Sequence, residues 1–239
     1  MQLAREQFAL IEHLLPVQRG NVRIDNLTLL NAILYVAVNG CTWRGLPAKY
    51  GRWHTVYTRM SRWAKAGVLE GQDRGRQPRQ HQHQGAPGRN GRPEKGGPQA
   101  IGRSRGGLNT KIHLAASSLK QVLGFCLSPG QAHDAPIGRK LLNDLGIDNL
   151  QIPLIMDRAY EGNETRYLVQ SLGFEPVVPP LETRRDPWQY DTELYKRRNE
   201  IERLFGRIKR FRRVFTRYDK TDLMFSALVT LAFIADQLR

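Results

Sequence analysis

The sequence is poor in cysteine, with only Cys41 and Cys126 among its 239 residues. Two cysteines supply neither a disulfide framework nor the ligands of a structural zinc site. We interpret both as small buried hydrophobic residues in a reducing compartment. No apolar stretch approaches the roughly 20 residues that span a bilayer, and the N-terminal segment MQLAREQFALIEHLLP has no signal-peptide cleavage site. The sequence therefore predicts a soluble, cytoplasmic protein without a membrane partner.

Acidic residues are also scarce, because 22 Asp and Glu stand against 37 Lys and Arg, which gives a formal net charge of +15. An excess of this size predicts a polyanionic partner, and nucleic acid fits it best. A ribosomal or membrane-surface protein would also be basic, so charge alone does not separate these classes. The chain is long enough for one or two domains with a full hydrophobic core.

Residues 71–105 contain almost no aliphatic residue and, after Asp73, a single acid, Glu94. This composition predicts a disordered, polycationic linker. His81 and His83 stand two positions apart without a third ligand nearby, which disfavours a metal site. The linker separates a helical domain, residues 1–70, from a core domain, residues 106–239.

Hydrophobic periodicity predicts three helices in residues 1–70. The second carries apolar residues from Leu27 to Ala37 and ends at Gly40 as a C-cap. The third, from about 55 to 66, places an apolar face on one side and the basic residues Arg59, Arg62 and Lys65 largely off it. A helix, a turn and a basic helix suit docking on DNA; the alternative is a small bundle whose basic residues are merely solvated.

The core domain alternates short strands and helices. The pattern predicts strands over 110–115, 122–127, 152–156 and 174–178, helices over 136–145 and 161–170, and an apolar C-terminal helix over 224–238 packed against the sheet. The first two strands would form a hairpin. The fold class expected is therefore mixed α/β or α+β, with a helical N-terminal domain.

Two acidic residues, Asp157 and Glu202, occupy positions that suit a functional site. Asp157 ends the apolar strand over 152–156, a common active-site placement in open α/β sheets, although a loop cap is the plainer alternative. Glu202 lies in the segment 191–219, which reads as one long helix capped by Asp191 or Thr192. There Tyr195, Arg198, Glu202 and Lys209 share one side at spacings of three, four and seven. The plainer alternative is an Arg198–Glu202 ion pair worth about 0.2–0.5 kcal/mol.

These four residues, at these gaps, resemble the signature around the catalytic glutamate of bacterial insertion-sequence transposases of the DDE class, most closely the insertion-sequence-five family. The string IMDRAYEGNETR resembles the second-aspartate motif of that family. GCTWRGLPAKYGRWHTVYTRMSRWAKAGVLE resembles its N-terminal domain. The resemblance covers residues 1–70 and 97–239.

The resemblance implies a ribonuclease-H-like core that cleaves and joins DNA strands at the terminal inverted repeats of a mobile element. It implies Asp157 as the second catalytic aspartate and Glu202 as the glutamate, together holding two Mg²⁺ ions. Tyr195, Arg198 and Lys209 would orient the carboxylate or hold DNA phosphates, and Arg59, Arg62 and Lys65 would contact DNA. The implied partner is double-stranded DNA, bound by a homo-oligomer at the nucleoid.

The first aspartate of the family has no counterpart, since Asp73 lies outside any motif and Asp134 matches a different part of the pattern. Reading allowed codons for Gln72 to Lys95 with a shift of one base can give KIEADSLDSTSIKVHPDGTGALKK, the kind of segment that the family carries. We therefore hypothesise that residues 71–95 are read out of frame. The alternatives are a catalytically defective DNA-binding remnant of a transposase and a basic RNA-associated protein.

Overall fold

A computed structural model describes residues 1–18, 20, 22–70, 99–147 and 151–239. The chain divides into two compact units. The helical unit comprises Met1–Gln99 and Ile208–Arg239, and the sheet unit comprises Ala100–Arg207. The expectations for residues 71–98, including most of the linker, the His81–His83 pair and Asp73, lie outside the described residues. The end of the predicted linker is described, and a short strand, Gly102–Ser104, shows that the expectation of disorder is wrong there.

The secondary structure mixes helices and strands, as expected. The described helices are α1 Arg5–Ala9, α2 Asn26–Asn39, α3 Trp53–Lys65, α4 Asp134–Leu145, α5 Asn163–Ser171, α6 Thr192–Tyr195, α7 Asn199–Ile208, α8 Arg212–Phe215 and α9 Asp222–Gln237. The described strands are β1 Gly102–Ser104, β2 Gly107–Ala116, β3 Val122–Pro129, β4 Pro153–Ile155 and β5 Glu175–Val177. None of the helices in the described ranges has the length and apolar character of a membrane span.

Helix α2 is the centre of the helical unit. The Asp25 carboxylate accepts a hydrogen bond from the Thr28 backbone N–H at 2.6 Å and starts the helix. Gly40 ends it in the left-handed conformation with φ of +68°, which confirms the expected C-cap. Most of its side chains are buried, including Leu29, Ile33 and Val36, so it needs apolar neighbours on several sides.

Helix α9 supplies those neighbours. It packs on α2, α3 and α8, so the expectation that the C-terminal helix packs against the sheet is wrong. Its buried residues lie on most of its circumference, from Met224 through Leu228 to Ala235, and such a surface needs apolar neighbours on several sides. The division into compact units therefore differs from the division expected at residue 106, because residues 208–239 belong to the same unit as the N-terminal helices.

The sheet unit contains two sheets. Strands β1, β2 and β3 form an antiparallel sheet in that order, with His113 opposite Cys126 and an irregularity at Ala115–Ala116. Strands β4 and β5 form a parallel pair. Helix α4 packs on β2 and β3, and α5 packs on β5. The expected hairpin is present, and the strands in the described ranges form two sheets.

The expected long helix over 191–219 is wrong beyond Ile208. Asp191 caps its start, accepting from the Leu194 N–H at 2.8 Å, and the helical path runs through α6, a 3₁₀ turn over 196–198 and α7. Phe211 then adopts an extended conformation and is only 1% exposed, while Phe215 is 66% exposed. A continuous helix would present both rings on one face, and the break lets Phe211 alone enter the core.

Both cysteines are free and only half-buried, so the expectation of full burial is wrong. Cys126 lies on β3, and burial raises the pKa of its thiol to about 11. A thiol with so high a pKa is protonated and unreactive at neutral pH.

Candidate active site

Asp157 lies where β4 leads into a one-turn 3₁₀ helix, Arg158–Tyr160. The backbone on both sides is fixed, because the Met156 N–H donates to the Val177 carbonyl at 3.0 Å and the Tyr160 N–H donates to the Asp157 carbonyl at 2.9 Å. The carboxylate itself is 56% exposed. The strand end therefore presents a carboxylate to solvent from a rigid backbone.

Arg198 brings the two carboxylates predicted from the sequence to one guanidinium. Its Nη1 lies 3.2 Å from Asp157 Oδ2, and its Nη2 lies 2.7 Å from Glu202 Oε1. The Glu202 carboxylate is also 56% exposed, and Arg198 is 32% exposed. The planar fork of arginine suits this double contact, because its N–H donors diverge in fixed directions. The i,i+4 ion pair between Arg198 and Glu202 that the sequence predicts is thus present, and Arg198 also pairs with Asp157.

Tyr195 flanks this cluster. Its ring centre lies 5.9 Å from Arg198 Cζ and 5.7 Å from the Tyr190 ring in an edge-to-face arrangement. Partial burial raises the pKa of the Tyr195 phenol, so it remains a neutral hydrogen-bonding group. A cation over an aromatic face is attracted by the ring quadrupole, which restrains Arg198.

The remaining candidates of the core domain are placed differently. Lys209 is exposed, follows the last residue of α7 and belongs to the helical unit. Asp134 begins α4, and Lys111 Nζ donates to its carboxylate at 2.8 Å. No group of three or more His, Cys, Asp or Glu side chains suited to a metal occurs in the described part of the chain.

A buried network behind Asp157 was missed by the sequence analysis. His113, 5% exposed on β2, contacts the Tyr160 hydroxyl through Nδ1 at 3.1 Å and Ser128 Oγ through Nε2 at 2.8 Å. Gly138 on α4 permits this packing, because a Cβ there would lie 2.3 Å from the Tyr160 ring. The sequence signal that could have revealed this network was His113, a histidine within a predicted strand.

Burial lowers the pKa of His113 and raises that of Tyr160. For His113 the carboxylate of Asp134 and the cation of Lys111 act in opposite directions and are smaller influences. Both side chains are therefore neutral at pH 7, and the network fixes the 3₁₀ turn that follows Asp157.

The three basic candidates of α3 divide into two kinds. Arg59 donates to the Ile24 carbonyl and to Asn26 Oδ1, and burial lowers the pKa of its guanidinium. Arg62 and Lys65 are exposed. Arg59 thus ties α3 to the start of α2, whereas Arg62 and Lys65 present their charges to solvent.

Two family descriptions match the chain. An inferred transposase of the IS4/5 family matches residues 3–71, and the transposase DDE domain matches residues 76–235. The chain belongs to the DDE transposase family. The predicted family and the predicted function, a DNA transposase, are thereby confirmed.

Two curated relatives of this transposase have similar sequences. One is an inferred transposase for insertion sequence element IS6501 of Brucella ovis, 31% identical over 127 residues, which are 52% of this chain and 95% of the relative. The other is an uncharacterized protein, y4sN, of Sinorhizobium fredii, 40% identical over 48 residues, which are 20% of this chain and 38% of that protein. No solved structure matches this transposase.

DDE transposase domains use divalent metal ions, and the residues of this transposase fit such an ion in part. Asp157 and Glu202 supply hard oxygen ligands on neighbouring elements, and both are half-exposed. Mg²⁺ is commonly bound through one or two carboxylates together with waters and substrate phosphate. Arg198 contacts both carboxylates, so its guanidinium would compete with a metal ion for them.

Proposed function

We propose that this transposase binds the terminal inverted repeats of its element and cleaves and joins DNA strands at a Mg²⁺ centre built on Asp157 and Glu202. The observation that carries the proposal is the double contact of Arg198, which joins two carboxylates far apart in sequence. The antiparallel β1–β2–β3 sheet and the parallel β4–β5 pair support a ribonuclease-H-like core.

Two Mg²⁺ ions would activate the attacking oxygen and stabilise the leaving oxygen of the phosphodiester. In the proposal Asp157 and Glu202 hold the metal. Arg198 keeps the carboxylates together before metal binding and then pairs with a DNA phosphate, for which its fork is suited. Tyr195 restrains Arg198, and Lys209 contributes a cation for DNA.

We assign duplex DNA to the helical unit. Arg62 and Lys65 are exposed cations on one basic helix, and contacts from such residues to phosphates position a protein on DNA. The proposal includes a homo-oligomer that holds two element ends, acting at the nucleoid in the cytoplasm.

A second candidate is a DNA-binding remnant that no longer cuts. It is favoured by one specific observation: within the described residues two carboxylates meet at Arg198, and Asp134 is paired with Lys111 instead. A metal centre that lacks the first aspartate of the family, and so has two carboxylates, binds Mg²⁺ more weakly and catalyses more slowly than a centre with all three.

The two candidates are separated by Mg²⁺-dependent nicking of DNA that carries the element ends. The proposal expects nicking by the unmodified chain, with Asp157→Asn and Glu202→Gln each reducing it by more than the roughly 10- to 100-fold that loss of a residue merely orienting a metal ligand costs. Glu193→Gln is the matched control, since Glu193 is exposed, pairs with Lys196 and begins the same helical path.

DNA binding without nicking would establish the remnant. Nicking that Glu202→Gln leaves unchanged would refute the assigned site. A preference for structured RNA over the duplex ends would instead favour an RNA-associated protein.

A further inference from the structure

The segment 209–220, between α7 and α9 in the helical unit, has an outer surface of cations and aromatic rings. Its exposed basic residues are Lys209, Arg210, Arg212 and Lys220. None of them forms an ion pair with another described residue. The single acid of the segment, Asp219, is buried. The charge that the segment presents to solvent is therefore positive, which suits a polyanion.

Asp219 is neutralised inside the helical unit. Arg213 Nη2 lies 2.9 Å from Asp219 Oδ1, and 6% of either side chain is exposed. Arg213 Nη1 also donates to the Cys41 carbonyl at 2.8 Å, just after the end of α2. A buried pair that loses one partner leaves an uncompensated charge, so this pair holds residues 213–219 in a fixed position beside α2.

The same ion pair positions the ring of Tyr218. Arg213 Cζ lies 5.6 Å from the centre of that ring, a distance at which a cation is attracted to an aromatic face. Tyr218 nevertheless remains 54% exposed. Part of the ring is thus held by the protein while the rest is presented to solvent.

Arg212 and Phe215 lie beside Tyr218. A Cβ atom at Gly40 would lie 3.1 Å from Arg212 Cβ and 3.8 Å from Tyr218 Cε2, so these two side chains meet at the end of α2. Arg212 and Phe215 are three residues apart on α8 and share one side of it, and Phe215 is 66% exposed. We call the surface formed by Arg212, Phe215 and Tyr218 the aromatic patch.

We propose that the aromatic patch binds unpaired bases of single-stranded DNA. A base stacks on the ring of Tyr218 or Phe215, and the adjacent phosphates pair with the exposed cations of the segment. Basic residues interleaved with aromatic rings are the means by which proteins hold single strands, because every base has a flat face that can stack. Inside a duplex those faces are covered by the neighbouring base pairs, so exposed rings reach them only where DNA is unpaired.

Charge disfavours a second copy of this chain as the occupant. A copy that docked through the same patch would bring its own exposed cations against these cations, and like charges that face each other across an interface are unfavourable. The inference goes beyond the proposed function, because it assigns unpaired bases to residues that neither the metal centre nor the duplex contact of Arg62 and Lys65 uses.

The test compares two fluorescein-labelled strands of about 12 nucleotides, one of thymidine and one of abasic sites with the same phosphates. Each is titrated with the full chain in the absence of divalent metal, and anisotropy reports binding. We expect the thymidine strand to bind at least about tenfold more tightly, because only that strand can stack on the rings. Equal affinities would show that the phosphates alone are bound and would overturn the proposal.

Side-chain variants locate the stacking site. Phe215→Ala and Tyr218→Ala should each reduce the preference for thymidine by about fivefold or more, and Tyr218→Phe, which keeps the ring, should retain it. Tyr167→Ala is the matched control, since Tyr167 is 65% exposed on α5, outside the patch. Thermal unfolding establishes that each variant is folded, and the exposed Phe215 keeps the test decisive if Tyr218→Ala unfolds. A preference that survives the loss of either ring would overturn the proposal.

Arg212→Ala separates charge from stacking. It should weaken both strands equally and lower the slope of log affinity against log salt by about 0.7, while the preference for thymidine is unchanged. A preference that disappears in Arg212→Ala, with both rings intact, would contradict the assignment of stacking to Phe215 and Tyr218.

Other occupants of the patch give different results. A uridine strand that bound more tightly than the thymidine strand would assign the patch to RNA. A change from dimer to monomer in Phe215→Ala, with the strand preference unaltered, would assign it to a second copy. Either result overturns the proposal.

Mg²⁺-dependent nicking, measured on the same samples, reports separately on the proposed function. A preference for thymidine without nicking would refute that function alone. Nicking without the preference would refute the single-strand site alone.

Discussion

Among single residues, Arg198 is the one that contacts both carboxylates of the candidate site. Its guanidinium is one-third exposed and contacts two half-exposed carboxylates. Ion pairs of this exposure contribute little to folding, typically about 0–1 kcal/mol. Their effect is instead on geometry and charge, because Arg198 holds Asp157 and Glu202 near each other and neutralises part of their repulsion.

Replacement of Arg198 should therefore alter metal binding more than stability. We expect Arg198→Ala to change the free energy of unfolding by less than about 1 kcal/mol and to strengthen Mn²⁺ binding, because the two carboxylates lose their competing cation. Isothermal titration with Mn²⁺ and urea unfolding measure the two effects. Arg197→Ala is the control, since Arg197 pairs with Glu200 at 2.9 Å instead. Weaker Mn²⁺ binding by Arg198→Ala would contradict this account.

His113 should make stability depend on pH. Burial lowers its pKa in the folded state below the ordinary value of 6.5, so the unfolded chain binds the proton more readily. The stability associated with neutral His113 is present above pH 6.5 and is lost as the pH falls through the folded-state pKa.

Urea unfolding between about pH 7.5 and 5.5 should show this decline, and His113→Gln should flatten it. His54→Gln is the control at an exposed position. A decline that is equally steep in His113→Gln would assign it to other groups.

At the scale of elements, local signals set where helices begin and end. Asp25 and Gly40 bound α2, and Asp191 starts α6. The strands predicted over 110–115 and 122–127 are present as the longer strands β2 and β3. Caps, turns and alternation act over a few residues, so they can be read without the fold.

The Asp25 cap offers a direct test of such a signal. We expect Asp25→Ala to reduce the free energy of unfolding by about 1 kcal/mol and Asp25→Asn to reduce it much less, because Asn is an equally good N-cap. The hydrogen bond from the Thr28 backbone lowers the pKa of Asp25. Its stabilisation is therefore present above the ordinary value of 3.8 and is lost as the pH falls through the lower folded-state pKa. Urea unfolding at neutral and acidic pH measures both effects, and equal losses for Ala and Asn would refute the cap.

At the scale of the whole molecule, the net charge of +15 predicts salt-dependent DNA binding. Arg62→Ala and Lys65→Ala should each weaken binding and lower the slope of log affinity against log salt by about 1. Arg59→Ala should instead lower the unfolding temperature and leave the slope unchanged, because Arg59 bonds Ile24 and Asn26. Anisotropy with labelled duplex DNA at several salt concentrations decides this. A lower slope with unchanged stability in Arg59→Ala would show that Arg59 contacts DNA.

Sequence reasoning identified the candidate carboxylates, but it did not find their surroundings. Asp157 and Glu202 were recognised because the sequences around them resemble motifs of the family, whereas His113 and Ser128, which support the turn after Asp157, have no local motif. The path beyond Ile208 was also misjudged, since helical periodicity continues through Phe211 and Phe215 although only Phe211 is buried. Hydrophobic periodicity indicates that one face of a helix is apolar, but it does not indicate which element packs against that face.

The sequence by itself determined the family, the basic charge, the helix caps and the strand that leads to Asp157. These properties depend on composition and on spacings of a few residues, so they can be recognised without knowledge of the fold. Only the tertiary structure decided that Arg198 joins Asp157 to Glu202 and that α9 packs among the N-terminal helices. Those arrangements arise from contacts between residues distant in sequence, whose energy depends on the final packing and has no local pattern.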